Sequence, residues 1–180
     1  IVCGDALEVA WPTVSAVCGN IPYQITTPLI ERALTPPRPR IIVFLVQREV
    51  ADRLAAPPGS KTYGALSVGV QLVATVERLF TVRAGAFWPP PRVESAVVRI
   101  TPLAEPLVTG ESEERQVRDL IRAAFQRRRQ QLQRSLREAF DLQPSTVAGL
   151  LAAVGSSPAA RAEELSPRQF VALARVLAGA

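Results

Sequence analysis

Residues 14–29 read VSAVCGNIPYQITTPL, and the reading of this stretch decides the fold. Val14 to Cys18 is a short apolar run of strand type, and it closes at Gly19-Asn20, where the chain turns. Thr27-Pro28 then opens a helix that carries Leu29, Ile30, Ala33 and Leu34. Strand, loop, helix is the unit of an open α/β sheet, in which ligands bind beyond the carboxyl ends of the strands. Asn20, Ile21, Pro22 and Tyr23 occupy that position.

Working outward, the prolines at 36, 37 and 39 end the helix, and Ile41 to Val46 (IIVFLV) reads as a strand covered on both faces, with parallel neighbours. A helix through Glu49 to Ala55, a Pro57-Pro58-Gly59 break and a helix from about Gly64 to Ala74 follow. Val76 to Val82 and Ser95 to Ile100 read as two strands separated by AGAFWPPPR, which suits an antiparallel hairpin at a sheet edge. In the other direction, IVCGDALEV reads as the end of a buried strand with a turn at Gly4-Asp5. The chain holds no Met and opens on Ile1, so further sequence is expected upstream of that strand.

Beyond Thr101-Pro102 the apolar spacing becomes helical: Val117, Leu120, Ile121, Ala124 and Phe125, then Leu132, Leu136, Ala139 and Phe140. Ser166-Pro167-Arg168-Gln169 is a capping box that starts the last helix. The expected organisation is an α/β domain over residues 1–104 and a small all-α domain over 105–180.

Composition narrows the chemistry. The 180 residues carry a net charge of +5 and no His, which removes Ser/His or Cys/His nucleophile pairs and imidazole metal sites. Cys3 and Cys18 are isolated, so neither a CxxC metal site nor a secreted disulfide framework is indicated, and a cytoplasmic location is expected. No apolar run reaches the roughly 18 residues of a membrane span. Residues 115–137 hold eight Arg against one acid, Asp119, which points to a phosphate-contacting face.

The Asn20–Tyr23 quartet also suits a plain turn. Its chemistry fits one demanding reaction, methylation of a nucleobase amine whose lone pair is delocalised into the ring. The Asn20 side-chain oxygen and the Ile21 carbonyl can accept hydrogen bonds from that amine and localise its lone pair. Pro22 stiffens the loop, and Tyr23 can stack on a base taken out of its helix. Asp5, with the backbone N–H of Ala6 beside it, can hold the adenine amine of a cofactor.

GDAL at 4–7, GNIPYQITTPL at 19–29, QREVADRL and YGALSV within 47–68, AFWPPPRVESAVVRI at 86–100, AFQRRRQQLQRSL at 124–136 and RAEELSPRQF at 161–170 resemble the KsgA/RsmA family of ribosomal RNA adenine dimethyltransferases. The resemblance implies the second half of a Rossmann-like class I methyltransferase sheet, followed by a small helical domain that binds rRNA. It implies S-adenosylmethionine as cofactor and dimethylation of two adjacent adenosines near the 3′ end of small-subunit (16S) rRNA, within a 30S precursor. Asp5 and Ala6 would then hold the cofactor's adenine, Asn20 would stand between cofactor and target amine, and Tyr23 and Phe87 would wall the base. Phe87 also reads as a plain core residue. Arg127, Arg128, Arg129 and Arg134 would bind rRNA. No metal is implied, and the full-length protein is expected to be a monomer. The family's glycine-rich loop and ribose-binding acid precede GDAL and have no counterpart here, so weak cofactor binding and no activity are expected of these residues alone. An Erm-type large-subunit rRNA methyltransferase, a DNA amine methyltransferase and a non-catalytic rRNA-binding assembly factor are the competing readings.

Overall fold

The computed structural model describes residues 3–127 and 130–179, which pack as two compact units. One holds residues up to 55 together with 73–104, and the other holds 56–72 together with 105 onward.

The first unit is built on a sheet of β1 (Ala16–Asn20), β2 (Ile41–Gln47), β3 (Ala74–Val82) and β4 (Ser95–Pro102), in the order β1-β2-β4-β3. β1 pairs with β2 in parallel, and its ladder runs on to Asn20 opposite Leu45. Ile21 N–H then donates to the Leu45 carbonyl at 3.1 Å. The strand therefore sits two residues later than its apolar run suggests, and Val14 lies outside it. The hairpin of β3 and β4 is present, with an irregularity between Arg78 and Phe80.

The expectation that β2 has only parallel neighbours is wrong: β4 lies against it antiparallel. The reason is apolar matching across the pair. Ile42, Phe44 and Val46 stand opposite Ile100, Val98 and Ala96, and all six are buried. Ile41, Val43 and Leu45, on the other face of β2, are only half-buried. Two helices complete this unit. α1 (Thr26–Ala33) buries Leu29, Ile30 and Ala33, and α2 (Arg48–Leu54) packs Ala51 and Leu54 toward β2, β3 and β4. Ile1 and Val2 lie outside the described residues, and Cys3 is not part of a strand.

The second unit is helical: α3 (Ala65–Gln71), α4 (Gly110–Phe125), α5 (Leu132–Phe140), α6 (Pro144–Ala153) and α7 (Pro167–Ala178). α3 packs on α4 and α7, so residues 56–72 belong with these helices rather than with the sheet. The Arg118 guanidinium lies close against α3 at Gly69, where a Cβ would stand 3.2 Å from its Nη1. Tyr63 is fully buried, donates its hydroxyl to the Leu165 carbonyl at 3.0 Å, and meets Phe125 edge-on with centroids 6.5 Å apart. Phe125 continues to Phe170 at 5.9 Å. Burial pushes the Tyr63 phenol up, so it remains the protonated donor. At α7 the capping box forms as read: Gln169 N–H donates to Ser166 Oγ, and Ser166 N–H to Gln169 Oε1.

Candidate active site

Asn20 is the last residue of β1, exposed, and its side chain makes no hydrogen bond among the described residues. Its backbone is fixed by the ladder while its amide stands free. Ile21 turns inward and is buried, which sets the direction in which the loop leaves the strand. Pro22 precedes a single 3₁₀ turn at Tyr23–Ile25, and its carbonyl accepts from Ile25 N–H at 3.1 Å and Thr26 Oγ1 at 3.3 Å. The loop is thus locked to the start of α1.

Tyr23 is half-buried, and its hydroxyl is 2.9 Å from Ser95 Oγ. Ser95 is fully buried at the start of β4, opposite Gln47 at the end of β2. This bond ties the aromatic ring to the same sheet end that carries Asn20. Sequence reasoning missed Ser95; its only signal is a hydroxyl opening a largely apolar strand, SAVVRI. Arg48 and Glu94 close the same end, with Nη1 to Oε2 at 2.6 Å and Arg48 N–H on the Glu94 carbonyl at 3.0 Å. Phe87 follows a short 3₁₀ turn in the β3–β4 loop and is half-buried, while its neighbour Trp88 is 95% exposed.

Asp5 heads a tight turn: its Oδ1 accepts from Leu7 N–H at 2.8 Å and its carbonyl from Glu8 and Val9 N–H. Arg32 of α1 holds this turn through the carbonyls of Leu7 and Val9, and lies over the Trp11 ring at 5.4 Å. The Trp11 indole in turn donates to the Ala6 carbonyl at 3.0 Å. No hydrogen bond joins Asp5 to Asn20 among the described residues. A cleft of about 620 Å³ borders Leu7, Trp11, Val17, Pro28 and Arg32, and none of Asn20, Tyr23, Phe87 or Asp5 lines it.

In the helical unit several guanidinium groups of the basic segment have acidic neighbours. Arg118 pairs with Glu114 and Arg122 with Asp119, each at 2.8 Å. Arg134 pairs with Glu138 at 2.8 Å, and Arg127 reaches the same carboxylate at 3.4 Å. The Arg134 hydrogen bond, with Arg127 and Arg137 nearby, holds the Glu138 carboxyl below the usual carboxylate range. Glu114 and Glu138 flank the 115–137 window by one residue each, which is why a count inside it hides them. Arg115 and Arg137 are exposed and have no ion-pair partner among the described residues. Arg128 and Arg129 lie outside the described residues. No group of three His, Cys, Asp or Glu side chains suits a metal, and no helix is long and apolar enough to cross a membrane, among the described residues.

Comparison with known proteins gives a consistent picture. The family model for ribosomal RNA adenine dimethylase matches residues 10–178. The ribosomal RNA small subunit methyltransferase A of Gloeobacter violaceus is 42% identical over 99% of this chain and 66% of its own length. That of Latilactobacillus sakei is 40% identical over 96% of this chain and 63% of its own. The chain thus spans a little under two thirds of these relatives. Among solved structures, a dimethyladenosine transferase from Plasmodium falciparum superposes with a TM-score of 0.80 at 24% identity, covering 94% of this chain and 69% of that one. The 23S rRNA methyltransferase ErmE gives 0.73 at 25% identity, covering 98% and 71%. The sheet and helices are those of a class I methyltransferase fold, and by its match from residue 10 to residue 178 the chain belongs to the ribosomal RNA adenine dimethylase family.

Proposed function

We propose that this chain carries the target-base loop and the rRNA-contacting helices of an S-adenosylmethionine-dependent adenine N6-dimethyltransferase. Its substrate is two adjacent adenosines near the 3′ end of small-subunit rRNA in a 30S precursor, its place is the cytoplasm, and its role is in small-subunit biogenesis. The carrying observation is the free Asn20 amide at the carboxyl end of a parallel strand, beside a Tyr23 ring tied down by Ser95. Asn20 Oδ1 and the Ile21 carbonyl accept from the adenine amine, and Tyr23 and Phe87 flank the extruded base.

S-adenosylmethionine supplies the methyl group as an electrophile. The residues present fit one end of it: one Asp5 carboxylate oxygen is used by Leu7 N–H, which leaves the other for an adenine amine, with Ala6 N–H beside it. These residues alone make a partial grip. Calorimetric titration of the 180-residue chain with the cofactor is expected to show weak binding or none; a tight, saturable isotherm would contradict that.

Small-subunit relatives at 40–42% identity favour this substrate over the large subunit. Mass mapping of methylated adenosines on both subunits tests the choice. Dimethyladenosine confined to the small subunit supports it, and large-subunit modification selects the Erm-type alternative. Binding without any methylation selects the assembly-factor reading.

Two substitutions probe the parts. Ser95→Ala removes the partner of the Tyr23 hydroxyl and is expected to lower kcat about tenfold, with KM for rRNA little changed, since about one net hydrogen bond is lost from the ring's support. Arg127→Ala is expected to reduce the slope of log affinity against log salt by about 0.7–0.9, the share of one phosphate. An unchanged slope would remove Arg127 from the interface.

A further inference from the structure

Ser135 is 7% exposed, and its hydroxyl oxygen is buried without a hydrogen-bond partner among the described residues. Buried polar atoms in folded proteins are paired almost without exception, so this hydroxyl is left for a partner from outside the chain, water or ligand. Ser135 lines a surface pocket of about 240 Å³ together with Ala123, Gln126, Arg127, Glu138 and Ala139. The pocket has a simple origin. Ala123 lies in the last turn of α4 with Gln126 and Arg127 just past its end, and Ser135, Glu138 and Ala139 fall at i, i+3 and i+4 on α5, which packs against α4. The short side chains Ala123 and Ala139 leave the space between the two helices unfilled.

The lining selects a ligand class. Among the described residues it contains no aromatic ring on which a base could stack. Glu138 presents a carboxylate, which opposes a phosphate inside the pocket, while Arg127 offers a guanidinium beside it. A group that both donates and accepts matches the floor: it can donate to Glu138 and accept from Ser135 Oγ–H. We propose that this pocket between α4 and α5 reads the 2′-hydroxyl of one RNA ribose, with Arg127 holding an adjoining phosphate. The inference rests on the reading that the helical unit contacts rRNA, and it adds how that unit tells RNA from DNA.

The test uses the full 180-residue chain and one hairpin sequence from the small-subunit 3′ end, made as RNA, as 2′-fluoro RNA and as DNA. The 2′-fluoro form has no hydroxyl proton to donate. Ser135→Ala is expected to weaken RNA binding about fivefold, one net hydrogen bond, with DNA and 2′-fluoro affinities and the salt slope unchanged. Because the substitution removes an unpaired hydroxyl, its unfolding midpoint should not fall, and the melt serves as the control for folding. Glu138→Ala is expected to narrow the preference for RNA over 2′-fluoro RNA in the same direction. Salt-dependent RNA binding with an RNA-to-DNA ratio unaltered by Ser135→Ala overturns this inference alone. Failure of the unsubstituted chain to bind RNA overturns the rRNA-contact reading, and this inference with it.

Discussion

Asn20→Ala is expected to lower methyl transfer to small-subunit particles about 100- to 1000-fold in kcat, the size of effect seen when one preorganised polar group is removed from a reacting centre. rRNA affinity should stay within about twofold, as for a surface substitution. The separation follows from the placement of Asn20. Its backbone is held by the β1–β2 ladder opposite Leu45, so Ala keeps the loop in place, and its exposed amide supports no other part of the fold. What is lost is the acceptor that draws the lone pair of the adenine amine out of the ring. The measurement is single-turnover methylation of particles that lack the modification, using the chain extended to the length of its relatives. Asn20→Asp, which keeps an acceptor but no N–H donor, shows which half of the amide matters. Near-normal turnover in Asn20→Ala would remove this residue from the chemistry.

Phe170→Ala should have the largest effect on stability. Phe170 is fully buried, and its ring is the end of the Tyr63–Phe125–Phe170 cluster that joins the segment before α3 to α4 and α7. Truncating a buried Phe costs about 3–5 kcal/mol, against a total of about 5–15 kcal/mol for a typical domain. The expected result is a lowered urea midpoint for the helical signal together with weakened RNA binding. Tyr63→Phe, which removes only the hydroxyl bonded to Leu165, should cost about 1 kcal/mol. An unchanged midpoint in Phe170→Ala would contradict the assignment of this cluster as the core of the helical unit.

Much of this architecture was legible in the residues. Thr27-Pro28, the IIVFLV run, the β3–β4 hairpin and the Ser166–Gln169 capping box announce themselves by local chemistry, because each depends on neighbours a few positions away. What could not be read locally depends on partners far along the chain. The direction of β4 against β2 is set by matching of apolar residues some 50 positions apart. The membership of 56–72 in the helical unit depends on Tyr63 reaching Leu165 and on Gly59 N–H donating to the Glu163 carbonyl. The same distinction governs the site. Asn20 to Tyr23 are contiguous and conspicuous, whereas Ser95, which holds Tyr23, is 72 positions away. The ion pairs within the basic segment were hidden for a smaller reason, since Glu114 and Glu138 stand just beyond the arginine-rich window. The Ser135 pocket has no sequence signal at all, because it arises where α5 packs against α4.

Photocrosslinking reports whether the Asn20–Tyr23 loop grips an unpaired adenosine. An RNA hairpin with 8-azidoadenosine at the target position is bound, irradiated and digested, and the attached peptide is sequenced. Attachment is expected within residues 20–23, with Phe87 as the second site. Attachment confined to the helices beyond residue 105, with none at the end of β1, would contradict it.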